Sequence, residues 1–118
     1  MTRPRTALAV MLLLALVPVC AAAHHGWSGY DASKPLTLAG IIRDAGYEHP
    51  HGYVKLETPE KTWLVVLAPP SRMENRGLPR GMLKPGTKAA VMAYPKRDDP
   101  VEVRAERITI EGKTTELR

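Results

Sequence analysis

Five stretches of this chain carry the two-residue period of a β-strand, and the turn residues between them leave little room for other elements. From Pro35, Leu36, Leu38, Gly40 and Ile42 alternate with Thr37, Ala39, Ile41 and Arg43, with a glycine where the strand of a small barrel can bend. Tyr53 to Glu57 alternates again, with Val54 and Leu56 on one face. Thr58 to Lys61 reads as a turn, and Thr62 to Leu67 is a near-continuous apolar run of the kind central strands show. Thr87 to Tyr94 is a fourth strand, Pro95 to Pro100 a turn, and Val101 to Ile110 a fifth. In that fifth strand Val101, Val103 and Ala105 share one phase and Ile108 and Ile110 the other, which a bulge near Glu106 and Arg107 reconciles.

Between the third and fourth strands, Ala68-Pro69-Pro70 ends the apolar run. Ser71 to Glu74 has the spacing of a capping box, and Gly77 supplies a stop. The expected helix, Ser71 to Arg76, is therefore a turn or two long. Five strands with one short helix between strands 3 and 4 give an all-β fold, a small five-stranded barrel like the oligonucleotide/oligosaccharide-binding (OB) fold. An open meander sheet or another small barrel is the competing architecture.

Residues 1–23 have the anatomy of a signal peptide. Arg3 and Arg5 form the positive end, Ala7 to Val19 the apolar centre, and Cys20 to Ala23 a small-residue cleavage zone. The apolar run is too short for a membrane span and is broken by Pro18. Its removal lowers the formal net charge from +5 to +3 and takes away the one cysteine, so no disulfide is expected. The remaining charges are interspersed, and no nucleic-acid partner is expected. Residues 24–34 read as an irregular N-terminal arm, and residues 35–118 as a single β-barrel domain. The expected location is the periplasm or the medium, with no membrane span after processing.

All four histidines fall in two places, His24-His25 beside the processing site and His49-Pro50-His51 after the first strand. A residue before proline favours extended backbone, and extended residues two apart share a side, so His49 and His51 are expected to form a two-imidazole face. Cleavage before His24 frees an α-amine beside an imidazole. Cleavage one residue earlier gives Ala23-His24-His25 and two earlier Ala22-Ala23-His24, both with histidine in the third position from the free amine. Each arrangement offers nitrogen ligands that favour Cu(II) or Ni(II), with Zn(II) next. The candidate metal ligands are thus His24, His25, His49 and His51, with copper the foremost divalent metal.

Blander roles stand beside these. His49 and His51 can belong to a structural turn, and Glu48 and Asp44 can be solvated turn carboxylates rather than supports for a metal site. Trp27, Tyr30, Tyr47, Tyr53 and Trp63 can stack on a base or sugar, or simply pack. Met73, Met82 and Met92 show no ligand-like clustering and read as core filling. Arg72, Arg76 and Arg80 flank the short helix and can hold an anion or form a solvated face. The motifs of nucleophilic hydrolases and phosphate-binding loops are missing, and no enzymatic activity is expected.

His24-His25-Gly26-Trp27, the strand Lys34-Pro35-Leu36-Thr37-Leu38-Ala39-Gly40, and Glu48-His49-Pro50-His51 together resemble a family of small exported bacterial proteins of unknown function. That family has a His-His mature N-terminus and a Glu-x-Pro-His element. The resemblance continues through Trp63 and Leu83 to Gly86, with His49 standing where the family usually has asparagine. It implies export and a small β domain. The expectation from the residues is a non-enzymatic exported protein that binds a metal ion. The alternative is an OB-like module for a polymer or protein partner, with structural histidines. Intact mass measurement of the exported form should place its first residue at His24, or at Ala22 or Ala23; a chain retaining Leu12 to Leu16 would refute the processing reading.

Overall fold

The computed structural model of the chain describes Thr2 and residues 26–118. The expected signal segment, with His24 and His25, lies outside the described residues. Strands β1 (Leu36–Gly46), β2 (Tyr53–Glu57) and β3 (Thr62–Val66) form an antiparallel meander. The helix α1 (Pro70–Asn75) and a 3-10 turn at Arg80–Met82 follow, then β4 (Lys88–Pro95), β5 (Glu102–Ile110) and β6 (Lys113–Glu116). β1 pairs with β4 and β4 with β5, while parallel pairing of β3 with β5 closes these five strands into a barrel. The fold is the expected OB-like barrel with one further strand, β6, added to β5.

The alternating residues fill the interior. Ile42, Val54, Leu56, Val65, Val91, Ala93, Val103, Ala105, Ile108 and Ile110 are all buried. The phase break in β5 is a bulge: Met92 opposes Arg107 and Ala93 opposes Ala105, so Glu106 is the extra residue and both apolar sets face inward. β1 pairs with β4 over Leu36–Ile41 and with β2 over Ile41–Gly46, changing partners beside Gly40. A Cβ on Gly40 would run into the carbonyl oxygen of Glu57, so the crossing needs a residue without a side chain.

The helix departs from the expected capping box. Pro69 is the N-cap, Pro70 takes the first helical position, and no side chain caps the N-terminus. Proline suits that position because its missing N–H would have no helical partner, and this displaces Ser71 from the capping role. The C-terminal end is as the glycine indicates. Gly77 has φ 81° and its N–H donates to the Glu74 carbonyl, while the Leu78 N–H donates to Met73, the pairing of a Schellman motif. Buried Met73 and Leu78 thereby pack beneath the end of the barrel.

The sixth strand has no sequence period. It is returned by a two-residue turn in which Glu111 (φ 51°) and Gly112 (φ 77°) both have positive φ, the geometry that matches the twist of a hairpin. Gly40→Ala should destabilise the domain by about 1–3 kcal/mol, since the clash is with backbone and cannot be relieved by a rotamer. For a domain this small that is a fall of several degrees in Tm, read by a circular dichroism melt; an unchanged Tm would show that the crossing does not require glycine.

Candidate functional site

The segment carrying His49 and His51 links β1 to β2 and is fastened at both ends. At one end the Tyr47 hydroxyl donates to the Leu78 carbonyl at 2.7 Å, and Arg80 Nη2 donates to the Tyr47 carbonyl at 3.1 Å. At the other, Gly52 exchanges backbone hydrogen bonds with Ala68 and Leu67, prolonging the β2–β3 ladder. Gly52 is buried, and a Cβ there would lie 2.6 Å from the Met73 methyl. Between these anchors the chain bends at His49–Pro50, a cis peptide, and is not the extended run that the sequence suggests. His49 and Glu48 are exposed, whereas His51 is half-buried.

What His51 meets is Arg104. This residue lies on β5 between inward-facing Val103 and Ala105, so its side chain leaves the barrel on the outside, yet it is only 5% exposed. The N-terminal arm covers it. Arg104 Nη1 donates to the Gly26 carbonyl and Nη2 lies 3.2 Å from His51 Nε2. The guanidinium carbon stands 4.2 Å from the centre of the Trp27 ring and 6.0 Å from that of Tyr30. Arginine has no acceptor, so Arg104 is the donor to His51 and a neutral His51 carries its proton on Nδ1.

The arm itself is latched further along. Tyr30 pairs with Lys96 in an isolated bridge, and its hydroxyl donates to Glu102 at 2.5 Å. The Asp31 N–H donates to the Pro95 carbonyl, and its carboxylate accepts from Ser33 and faces Arg97. Trp27 meets Tyr94 edge-on at 6.2 Å, and Arg118 stands 4.7 Å from the same indole ring.

The aromatic residues do not form one stacking platform. Trp63 is in the core at 8% exposure, Tyr47 is tied to the segment after α1, and Trp27 and Tyr30 lie over Arg104. Of the arginines around α1, Arg76 and Arg80 are exposed, as on a solvated face, and Arg72 is half-buried, and each is tied to backbone carbonyls. Arg72 donates to the Leu117 carbonyl, Arg76 to those of Glu116 and Arg118, and Arg80 to Tyr47. Met73 is buried, in keeping with core filling.

For the metal reading, His51 is fixed and His49 is open to solvent. Among the described residues no group of three or more histidine, cysteine, aspartate or glutamate side chains is placed to hold a metal ion. His24 and His25 lie outside the described residues, but Gly26, one residue on, is bonded to the guanidinium that also meets His51. Sequence reasoning missed Arg104 because its phase on β5 marks it as an outward residue. The arm that buries it has no period from which its docking could be read.

Burial holds the His51 pKa below its ordinary 6.5, and the neighbouring Arg104 and Arg72 charges lower it further. Below pH 6.5 the unfolded chain therefore takes up a proton that the folded chain resists. The His51 contribution is present above that pH and is lost as pH falls through the depressed folded value. The metal-free protein should lose Tm between pH 7 and pH 5 more steeply than His51→Gln, whose amide oxygen can still accept from Arg104. Parallel pH profiles of the two would show that the imidazole is not the titrating group.

Comparison with curated proteins gives no match. A family of unknown function, DUF6152, matches residues 11–103, most of the chain, which covers the arm, the histidine segment and the barrel as far as Val103 in β5. By the extent of that match, the chain belongs to the DUF6152 family.

Proposed function

We propose that this is an exported, non-enzymatic protein of the periplasm or medium that binds a divalent metal, copper(II) foremost. The ligands come from the His24-His25 terminus and from His49 and His51. The observation that carries the reading is the Arg104 guanidinium, which holds the Gly26 carbonyl with one nitrogen and His51 Nε2 with the other. His25 precedes Gly26 by a single peptide link, a Cα–Cα step of about 3.8 Å. The expected chelating terminus is therefore covalently joined to Gly26, which shares the Arg104 guanidinium with His51, the half-buried one of the two described histidines. The depressed pKa of His51 also keeps its imidazole neutral near pH 7, the form that ligates metal.

The same bond favours a second reading, a binding module for a protein or polymer partner. Arg104 occupies the Nε2 lone pair, so a metal at that nitrogen must displace it, and one at Nδ1 must displace a proton. Arg72 and Arg104 also oppose a dication on electrostatic grounds. Position therefore supports the metal reading, and charge the module.

Thermal melts of tag-free protein with and without Cu(II) separate them. If copper binds the folded arrangement, free metal at about 100 times Kd should add roughly 2.7 kcal/mol, a rise of several degrees in Tm. His51→Ala should remove most of that rise, and so should pH 5, where the terminal chelate protonates. A terminal chelate alone binds folded and unfolded chains equally and shifts nothing. An unchanged Tm in the wild type would reject the structured copper site and put the module reading first.

A further inference from the structure

Arg104 is a buried cation that lacks a counter-charge among the described residues. Its acceptors are a carbonyl, an imidazole and the faces of two aromatic rings, all neutral, and its buried Nε–H has no acceptor. The nearby group able to become an anion is Tyr30, whose pKa is raised far above its ordinary value by burial and by its hydrogen bond to Glu102, so it stays a neutral phenol. Apart from Tyr30, the charged groups that bear on Arg104 are Arg72 and Arg118, both of its own sign. Of the nearby carboxylates, Glu102 accepts from Tyr30 and lies 3.6 Å from Lys96, while Glu106, whose buried Oε2 has no hydrogen-bond partner, lies 3.6 Å from Arg118 at the cluster itself. That offsets Arg118 and leaves Arg72 and Arg104 without an ion pair.

The three guanidinium groups are neighbours, with the Arg72 and Arg118 charges both acting on Arg104. Arg104 and Arg118 both face the Trp27 ring, and Arg72 Nη1 donates at 3.1 Å to the carbonyl of Leu117, the residue before Arg118. Arg104 lies beneath, only 5% exposed and with both Nη groups engaged, so it contributes charge rather than open donors. Arg72 is half-buried and the Arg118 side chain is 53% exposed, so these two form a rim open to solvent. A guanidinium presents paired N–H donors that match the two oxygens of a carboxylate or oxyanion, and a partly buried setting strengthens that bond. We infer that Arg72, Arg104 and Arg118 form a binding site for a small oxyanion or carboxylate at the joint between the N-terminal arm and the barrel.

The site stands apart from the copper reading, since it uses no histidine as ligand and is tested on metal-free protein. Isothermal calorimetry would titrate tag-free, chelator-treated protein with sodium phosphate, sodium sulfate and sodium acetate, each against sodium chloride at equal ionic strength. The expected result is saturable one-to-one binding of at least one of the three. Arg118→Gln and Arg72→Gln, confirmed as folded by circular dichroism, should each weaken it tenfold or more. Arg43→Gln, whose residue pairs with Glu57 away from the cluster, should leave Kd unchanged. Binding of phosphate or sulfate alone assigns a tetrahedral oxyanion; acetate binding as well assigns a carboxylate. The site is overturned if none of the three anions gives saturable heat beyond chloride. It is equally overturned if Kd is the same in Arg118→Gln and Arg72→Gln as in the wild type.

Discussion

Three rungs of parallel pairing, Leu64 with Glu102, Val65 with Val103 and Val66 with Arg104, turn an open meander into a closed barrel. Without them β3 and the first part of β5 would be sheet edges, and the apolar residues between them would have no second wall. The pairing also decides what lies outside. Setting Val103 inward sets Arg104 outward, beside the end of β3, where Leu67 and Gly52 bond to each other. His51 precedes Gly52, so closure of the barrel brings the arginine and the histidine together.

From that contact a second layer is built on the outside of the barrel. The arm closes over the guanidinium with Trp27 and Tyr30, and is held farther on by Tyr30 to Glu102 and Asp31 to the Pro95 carbonyl and Arg97. Cation–π contacts with a desolvated arginine are stronger than exposed ones, but they carry no formal counter-charge. The layer is therefore cohesive in packing and unbalanced in charge. A dication and an anion make opposite demands on it, and this joint is the part of the molecule that can discriminate between them.

The barrel was legible in the sequence because each strand had to alternate to fill one interior. Even the bulge at Glu106 could be read, since Val103 and Ala105 fall out of phase with Ile108 and Ile110. Gly40 was legible for the same reason, as a small residue in an apolar phase. β6 was not: Lys113 to Glu116 has no apolar alternation, and the strand forms through its turn and the pairing of Thr115 and its neighbours with β5. The helix start was misread because two prolines outrank a serine in setting where the first turn begins. At the site the histidine was visible and its partner was not. Arg104 becomes a buried residue only when a segment beginning 78 positions earlier folds over it, a relation that no local pattern encodes.

The arginines around α1 also have a bearing on the chain's solubility. The Leu117 N–H faces β5, donating to Glu106, so the carbonyl of Glu116 before it faces the open side of β6. There Arg76 donates to Glu116 and Arg118. Lys113, at the other end of β6, reaches across to the Gly77 carbonyl. A last strand with bare carbonyls is a template on which another chain can add a strand of its own. Here Arg76 takes up the Glu116 acceptor and, with Lys113, sets positive charge along the border, so a second copy approaching edge to edge meets an occupied oxygen at one end and its own sign of charge.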